Sequence, residues 1–529
     1  TRLVSDWSSD VCSSDLAIWA WIQAQMAVPQ TSYLQLARQD ATAFPEPPSV
    51  PRITFGTPIA HGWFKLTVTS PDQLRQRVAF ALSEIFVIGD GDSPRAEPAL
   101  AYYDMLGRHA FGSFRTLLED VTLHPMMGWY LTYLQNQKAD PVKGTTPDEN
   151  YAREVQQLFT IGLVQLQPDG TLLLDAAGRP IPTYDNTTIA ETAKVFTGWA
   201  YQNRNNNFFS DPAYDDTPGG FDPTRFYNDT NGRMLPLRNY ESFHDRTEKR
   251  IVGLQQLPPR EARPTIIPAG TEGPAELKIV LDTLVAHPNT PPFICRQLIQ
   301  RLVTSNPSPG YVYRVAEVFR NNGRGVRGDL GAVVTAILTD YEARSPDAAA
   351  NFGFGKIKEP LLRLTSLMRV LKTSAPNGQY YDRFYYYAPE DAKRLERWVA
   401  GNGWILNALR PEVGQAVFQS PSVFNFFSPN YTAPGPLADA GLVAPEMQIT
   451  DSTLALKVPN TLTQIIDLVP PAPANTPSPS PFLRNDFSAL LPLSASPAAL
   501  AARMDLLLCA GAMGAATRQI VEETVAAIP

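Results

Sequence analysis

The chain has 529 residues, a formal net charge of −7 and a pI near 5.4, enough for two or three ordinary domains or one large one. A mildly acidic chain with no basic block gives no electrostatic case for nucleic acid. With no apolar run of about 18 residues, nothing in it reads as a membrane span.

At the start, SDWSSDVCSSDL (Ser5–Leu16) has neither an apolar period nor a basic leader, and DWSSDVCSSDL matches the translation of a common sequencing-library adapter. Thr1–Leu16 is therefore expected to be an artefact rather than protein. From Ala17 the chain is helical at once, with Ile18, Ile22 and Met26 on one side. On this reading the true N-terminus and any signal peptide are missing. Setting Cys12 aside leaves Cys295 and Cys509, each on an apolar helical pattern and each expected as a buried thiol. Two distant cysteines do not make a multi-thiolate metal site, and no metal-ligand set or cofactor is singled out elsewhere.

Helical signals then dominate. Ser70, Pro71 and Gln73 read as N-cap, first-turn proline and capping-box partner ahead of Leu74, Val78, Ala81, Leu82 and Ile85. Thr188 with Glu191 reads as a second capping box, Asp329 as a cap, and Pro360 as the first residue of another helix. FRTLLEDVTLHP, LKIVLDTLVAHP and LGAVVTAILTDY share one spacing: apolar residues at 0, 3, 4 and 7, then His124, His287 or Asp340 at 10. The two histidines are expected to complement the negative end of their helices, and the following prolines to stop them. Tyr201 to Gly253 lacks helical period. Its aromatics argue for order, and Asp211, Asp215, Asp216, Asp222 and Asp229 read as solvated loop acids. PPAPANTPSPSP, 470–481, reads as an extended linker. The predicted fold is mainly α: a single large multi-helix body over 17–469, with long irregular loops and little β, then the linker and a small helical piece over 482–529.

Two stretches carry candidate chemistry. In PDENYAREVQQLFTIG, Tyr151, Val155, Leu158 and Phe159 form the apolar face. Glu149, Arg153, Gln157 and Thr160 lie opposite, and Glu149 with Arg153 is an i,i+4 pair. Asn150 and Glu154 stack on the border, where a half-buried carboxylate needs a partner or its pKa rises. FHDRTEKRIVG offers His244, Asp245 and Lys249 after the odd loop. FQSPSVFNFFSPNYTAPGPL, with Phe424, Phe426, Phe427 and Tyr431, reads as a loop packed onto the body. No nucleophile elbow, phosphate loop, zinc-protease motif or dinucleotide fingerprint is present.

RQRVAFALSEIFVIG, HPMMGWYL, PDENYAREVQQLFTIG, AKVFTGW, HDRTEKRIVG, HPNTPPFICRQLIQRLV, RGDLGAVVTAILTDYEAR, KIKEPLLRL and FQSPSVFNFFSPNY follow one another along the chain. In that order they resemble the bacterial "domain of unknown function 1800" family. The most specific element is Glu149, Asn150, Tyr151, Ala152, Arg153 and Glu154. The chain departs at Asp148 and Phe159, where many relatives have Asn and His. The resemblance implies a large, mainly helical, usually exported protein, often encoded beside a secreted sulfatase-like protein. It also implies one more short helix beyond Pro529.

Two functional expectations follow. One is an exported scaffold or partner of a sulfatase-like protein in surface polymer handling or export, with Asn150, Arg153, Glu154 and His244 as a buried polar network. The other is a hydrolase acting on polysaccharide or ester, with Glu154 as acid/base, His244 or Lys249 assisting, and Asn150, Arg153, Asp245 and Lys249 as binding residues.

Overall fold

A computed structural model describes residues 15–43, 57–89, 96–203, 206–209, 233–256, 258, 261, 263–374, 413–466 and 483–528. The adapter-like stretch up to residue 14, the five loop acids and the 470–481 linker lie outside them.

The protein is mainly α. Helices α1 (Asp15–Ala27), α2 (Tyr33–Ala43), α3 (Thr57–Thr69), α4 (Gln73–Ser83) and α5 (Ala96–His109) open it. They are followed by α6 (Phe114–Leu123), α7 (Pro125–Tyr130), α8 (Asn150–Gln157) and α9 (Asn186–Val195). Next come α10 (Gly273–Ala286), α11 (Thr290–Leu302), α12 (Pro309–Arg320), α13 (Leu330–Thr339), α14 (Tyr341–Arg344), α15 (Pro346–Ala349) and α16 (Pro360–Val370). The C-terminal side holds α17 (Pro436–Asp439), α18 (Leu454–Ile466), α19 (Pro497–Met504), a π-helical turn Asp505–Cys509 and α20 (Ala515–Ala526). The described strands form two short antiparallel pairs. β1 (Trp199–Ala200) pairs with β2 (Arg238–Asn239), Trp199 opposite Asn239. β3 (Lys249–Ile251) pairs with β4 (Thr265–Ile267), Lys249 opposite Ile267. No described helix is long and apolar enough to cross a membrane.

One contiguous cluster of buried apolar side chains runs from Ile22 to Leu483. Within it α4 packs on α1, α3, α5 and α11, and α16 lies against α3, α18 and the π turn. These contacts matter for the site, because α4, α11 and α16 each turn a basic residue toward one another.

Local chemistry explains several boundaries, and corrects some expectations. Asp329 caps α13 through Ala332 N–H and Pro360 starts α16, as the sequence implied. The cap of α9 is Asp185, which accepts Thr188 N–H at 2.8 Å, while Glu191 pairs with Lys194. Ser70 does not cap α4 directly; Gln73 Nε2 reaches back to Ser70 O and Oγ. The shared spacing of α6, α10 and α13 ends in one local device. His124 Nδ1 accepts Met126 N–H, His287 Nδ1 accepts Asn289 N–H, and Asp340 Oδ1 accepts Glu342 N–H. The histidines therefore serve the segment that follows rather than the dipole of the helix before. Burial first, then the charge of Arg108 or Arg327, pushes their pKa down to about 3 and about 4, so both rings are neutral acceptors. Cys295 is buried, but Cys509 is exposed at the end of the π turn. Thr160, expected in solvent, is buried with its hydroxyl on Val155 O: α8 stops at Gln157, so helical projection fails beyond it.

Candidate functional site

Glu154 sits where α8 turns inward. Asp148 Oδ1 accepts Asn150 N–H at 2.7 Å and its Oδ2 accepts the Thr132 hydroxyl at 2.8 Å, which fixes the helix start. Tyr151 donates to Thr122 Oγ1 at 2.7 Å and packs edge-on to Phe196, and Phe159 lies 5.2 Å from the Phe86 ring. The two departures from the family pattern thus serve as a helix-start acceptor and as core. Glu154 is left 6% exposed, and its buried Oε2 has no hydrogen-bond partner. Burial raises its pKa, and Arg153 opposes the rise. Asn150 Nδ2 donates to Thr132 Oγ1, while Arg153 pairs with Glu149 at 3.6 Å.

His244, Asp245 and Lys249 meet elsewhere, on Glu276 of α10. Lys249 Nζ donates to Glu276 Oε1 at 2.7 Å and to Asp245 O at 2.6 Å, and His244 Nε2 lies 3.1 Å from Glu276 Oε2. His244 Nδ1 lies 2.8 Å from Thr197 O, so both ring nitrogens are engaged. Asp245 Oδ1 accepts Thr247 N–H and its hydroxyl. The side chains of His244, Lys249 and Glu276 are fully enclosed. Gly198 (φ +79°) makes the approach possible: a Cβ there would stand 2.9 Å from Tyr240 O and 3.0 Å from His244 N. Among the described residues no hydrogen bond or ion pair joins this cluster to Asn150, Arg153 or Glu154.

A third arrangement was not anticipated from the sequence. A cavity of about 880 Å³ opens between α1, α3, α4, α16 and the π turn. Among the described residues six cations line it, Arg77, Arg301, Arg344, Lys356, Lys358 and Arg369, and no Asp or Glu does. Its apolar side includes Trp21, Leu362, Phe354 and Leu506–Leu508, and Gln25, Gln73, Gln76, Thr67 and Ser366 add neutral polar groups. The volume lies within the range of about 300–1,000 Å³ typical of small-molecule sites.

Behind two of the cations lies a buried acidic layer. Arg301 Nε stands 3.6 Å from Glu84 Oε2, and Lys356 Nζ stands 2.9 Å from Glu446 Oε1 and donates to Arg301 O. Gln415 Nε2 donates to Glu359 Oε2 at 2.6 Å. Both oxygens of Glu84 and Oε1 of Glu359 are buried with no hydrogen-bond partner among the described residues. Burial, then the Glu359 charge, holds the Glu84 pKa well above the usual carboxylate range, against Arg301 and Lys356. Lys358, whose Nζ reaches Ser366 Oγ at 3.4 Å, is lowered to about 8 by burial and by the charges of Arg77, Arg363 and Lys356.

The residues come from segments quoted above. Arg77 and Glu84 belong to RQRVAFALSEIFVIG, Arg301 to HPNTPPFICRQLIQRLV, and Lys356, Lys358 and Glu359 to KIKEPLLRL. The signal open to a sequence reader was a cation on an apolar stripe, Arg77 between Leu74 and Phe80, and the two alternating lysines before Glu359–Pro360.

Fold and site define a mainly α protein with an enclosed His–Glu–Lys cluster and a separate cationic cavity. The profile of the family described as Protein of unknown function (DUF1800) matches residues 11–529, and the chain belongs to that family. No curated protein and no solved structure matches it.

Proposed function

We propose that the protein is a binding partner for an anionic ligand held in the cationic cavity, acting in exported surface-polymer handling beside a sulfatase-like protein. The observation that carries the binding reading is the lining itself: among the described residues, six cations and no carboxylate. Half-buried cations lose hydration, and an anion restores it through charge-assisted hydrogen bonds. Export and the sulfatase-like neighbour come from the family resemblance. In this reading the His244–Glu276–Lys249 cluster holds the loop after α9 against α10 and has no part in the chemistry.

The test is thermal unfolding at constant ionic strength, with sulfate, phosphate, citrate or a sulfated oligosaccharide replacing chloride. At 100 times its Kd a ligand adds about 2.7 kcal/mol of stability. At least one anion should raise Tm in this way, and the Arg77→Ala/Lys358→Ala double variant should lose the rise while keeping its circular dichroism. Equal Tm values in all salts would contradict the reading.

A catalytic reading keeps Glu154 as general acid, favoured by its buried, unpartnered oxygen and raised pKa. In it His244 and Lys249, both bound to Glu276, act at most through the fold. Turnover of a glycan or ester substrate that disappears in Glu154→Gln, with Tm unchanged, would support it.

A further inference from the structure

We propose that the cavity ligand carries two negative charges, seated on Arg77 and Lys358. The proposal rests on the anion-binding reading above and adds the charge and the seats.

It follows from which cations of the wall already have a carboxyl group within ion-pair distance. The layer behind the cavity contains Glu84, Glu359 and Glu446, and Arg301 and Lys356 face it. Arg301 stands 3.6 Å from Glu84 and Lys356 stands 2.9 Å from Glu446, so each of these two cations already faces a carboxyl group within ion-pair distance. Arg369 donates to Thr67 O and Val68 O at the end of α3, and both Arg344 and Arg369 are otherwise engaged. Arg77 and Lys358 are different. Among the described residues neither has a carboxylate within ion-pair distance, and the one hydrogen bond between them is from Lys358 to neutral Ser366. Burial lowers the Arg77 pKa, against the attraction of Glu359 and Glu84, and no ion pair within 4 Å joins either of them to it among the described residues. Two cations are therefore left facing open volume.

The size of that volume says what carries the charges. A bare phosphate or sulfate displaces only a few waters, each about 30 Å³, and leaves most of 880 Å³ unfilled. The ligand is then a larger body bearing a phosphate monoester, or two carboxylates or sulfate esters. The apolar wall of Trp21, Phe354, Leu362 and Leu506–Leu508 covers its uncharged part.

A pH dependence accompanies this. Lys358 is faced by Arg77 from α4, Arg363 from α16, Lys356 from its own loop and Cys509 from the π turn. Burial first, then the like charges of Arg77, Arg363 and Lys356, holds its pKa near 8. A dianion reverses that push, so affinity falls as pH rises past about 8.

The experiment is calorimetric titration of the full chain at fixed ionic strength. The probes are a sugar phosphate against its methyl diester, glutarate against butyrate, and a disulfated against a monosulfated disaccharide. Two charged hydrogen bonds lost or gained correspond to tenfold or more in Kd. The doubly charged member of at least one pair should bind at least tenfold tighter, and which pair responds identifies the anionic group. Arg77→Gln and Lys358→Gln should each remove that difference, and Lys358→Arg should restore it and abolish the weakening above pH 8. Members of every pair binding within twofold would overturn the two-charge proposal while the anion-binding reading stood. No binding by any probe would overturn both. A tenfold preference unaffected by either glutamine variant would move the seats elsewhere and refute the assignment to Arg77 and Lys358.

Discussion

Glu276 is the residue on which the loop after α9 hangs. It receives Lys249 and His244 inside a fully enclosed space. Removing it leaves the buried Lys249 ammonium with only the Asp245 carboxylate, 3.9 Å away, as counter-charge, a loss of up to about 3–5 kcal/mol. Glu276→Ala should lower the denaturant midpoint accordingly. Anion affinity of the folded variant should be unchanged, because neither Glu276 nor Lys249 lines the cavity. Glu84 behaves in the opposite sense. Its pKa is raised by burial and Glu359 above the ordinary value of 4.5, so its favourable contribution is complete below about pH 4.5 and is lost as pH rises through the folded value. Glu84→Gln removes that loss. Between pH 5 and 9 the variant should show a flatter stability profile than the wild type and at least equal stability at pH 9, measured by urea unfolding. A steeper profile in the variant would show that Glu84 is ionised in the native wall.

At the level of elements, how much could be read in advance depended on how local the cause was. The caps at Asp329 and Pro360 were legible because cap and helix are adjacent in sequence. The spacing shared by α6, α10 and α13 was visible too. Its purpose was not: the acceptor at its end serves the N–H two residues on, and a neutral ring does that as well as a carboxylate. The border position of Glu154 was read correctly from helical projection, whereas Thr160 was not, because projection presumes a helix that α8 does not continue. Gly198 shows the same limit. The left-handed backbone and the close approach to Tyr240 O and His244 N are tertiary facts. Gly198→Ala should destabilise by more than about 1 kcal/mol. Native-state hydrogen exchange should accelerate first over β1, β2 and the segment 240–249; a uniform loss across the chain would contradict a local role.

Over the whole molecule the mainly α architecture was plain from periodicity, since most segments bury one stripe in a core reaching from Ile22 to Leu483. The cavity was not, and for a physical reason. Its six cations come from α4, α11, α14, the loop before α16, and α16 itself, up to 292 positions apart between Arg77 and Arg369. No local pattern joins residues so far separated; only packing of α4 against α11, and of α16 against α3, brings them around one volume. The same packing sets Leu506–Leu508 of the π turn along the cavity, so the π turn completes the wall. The most direct measurement of the anion-binding claim is anomalous diffraction from crystals soaked in tungstate, a heavy dianion. The account predicts a tungsten peak inside the cavity within hydrogen-bond reach of the Arg77 guanidinium and Lys358 Nζ. A cavity holding only water, with tungstate bound elsewhere on the same molecule, would contradict it.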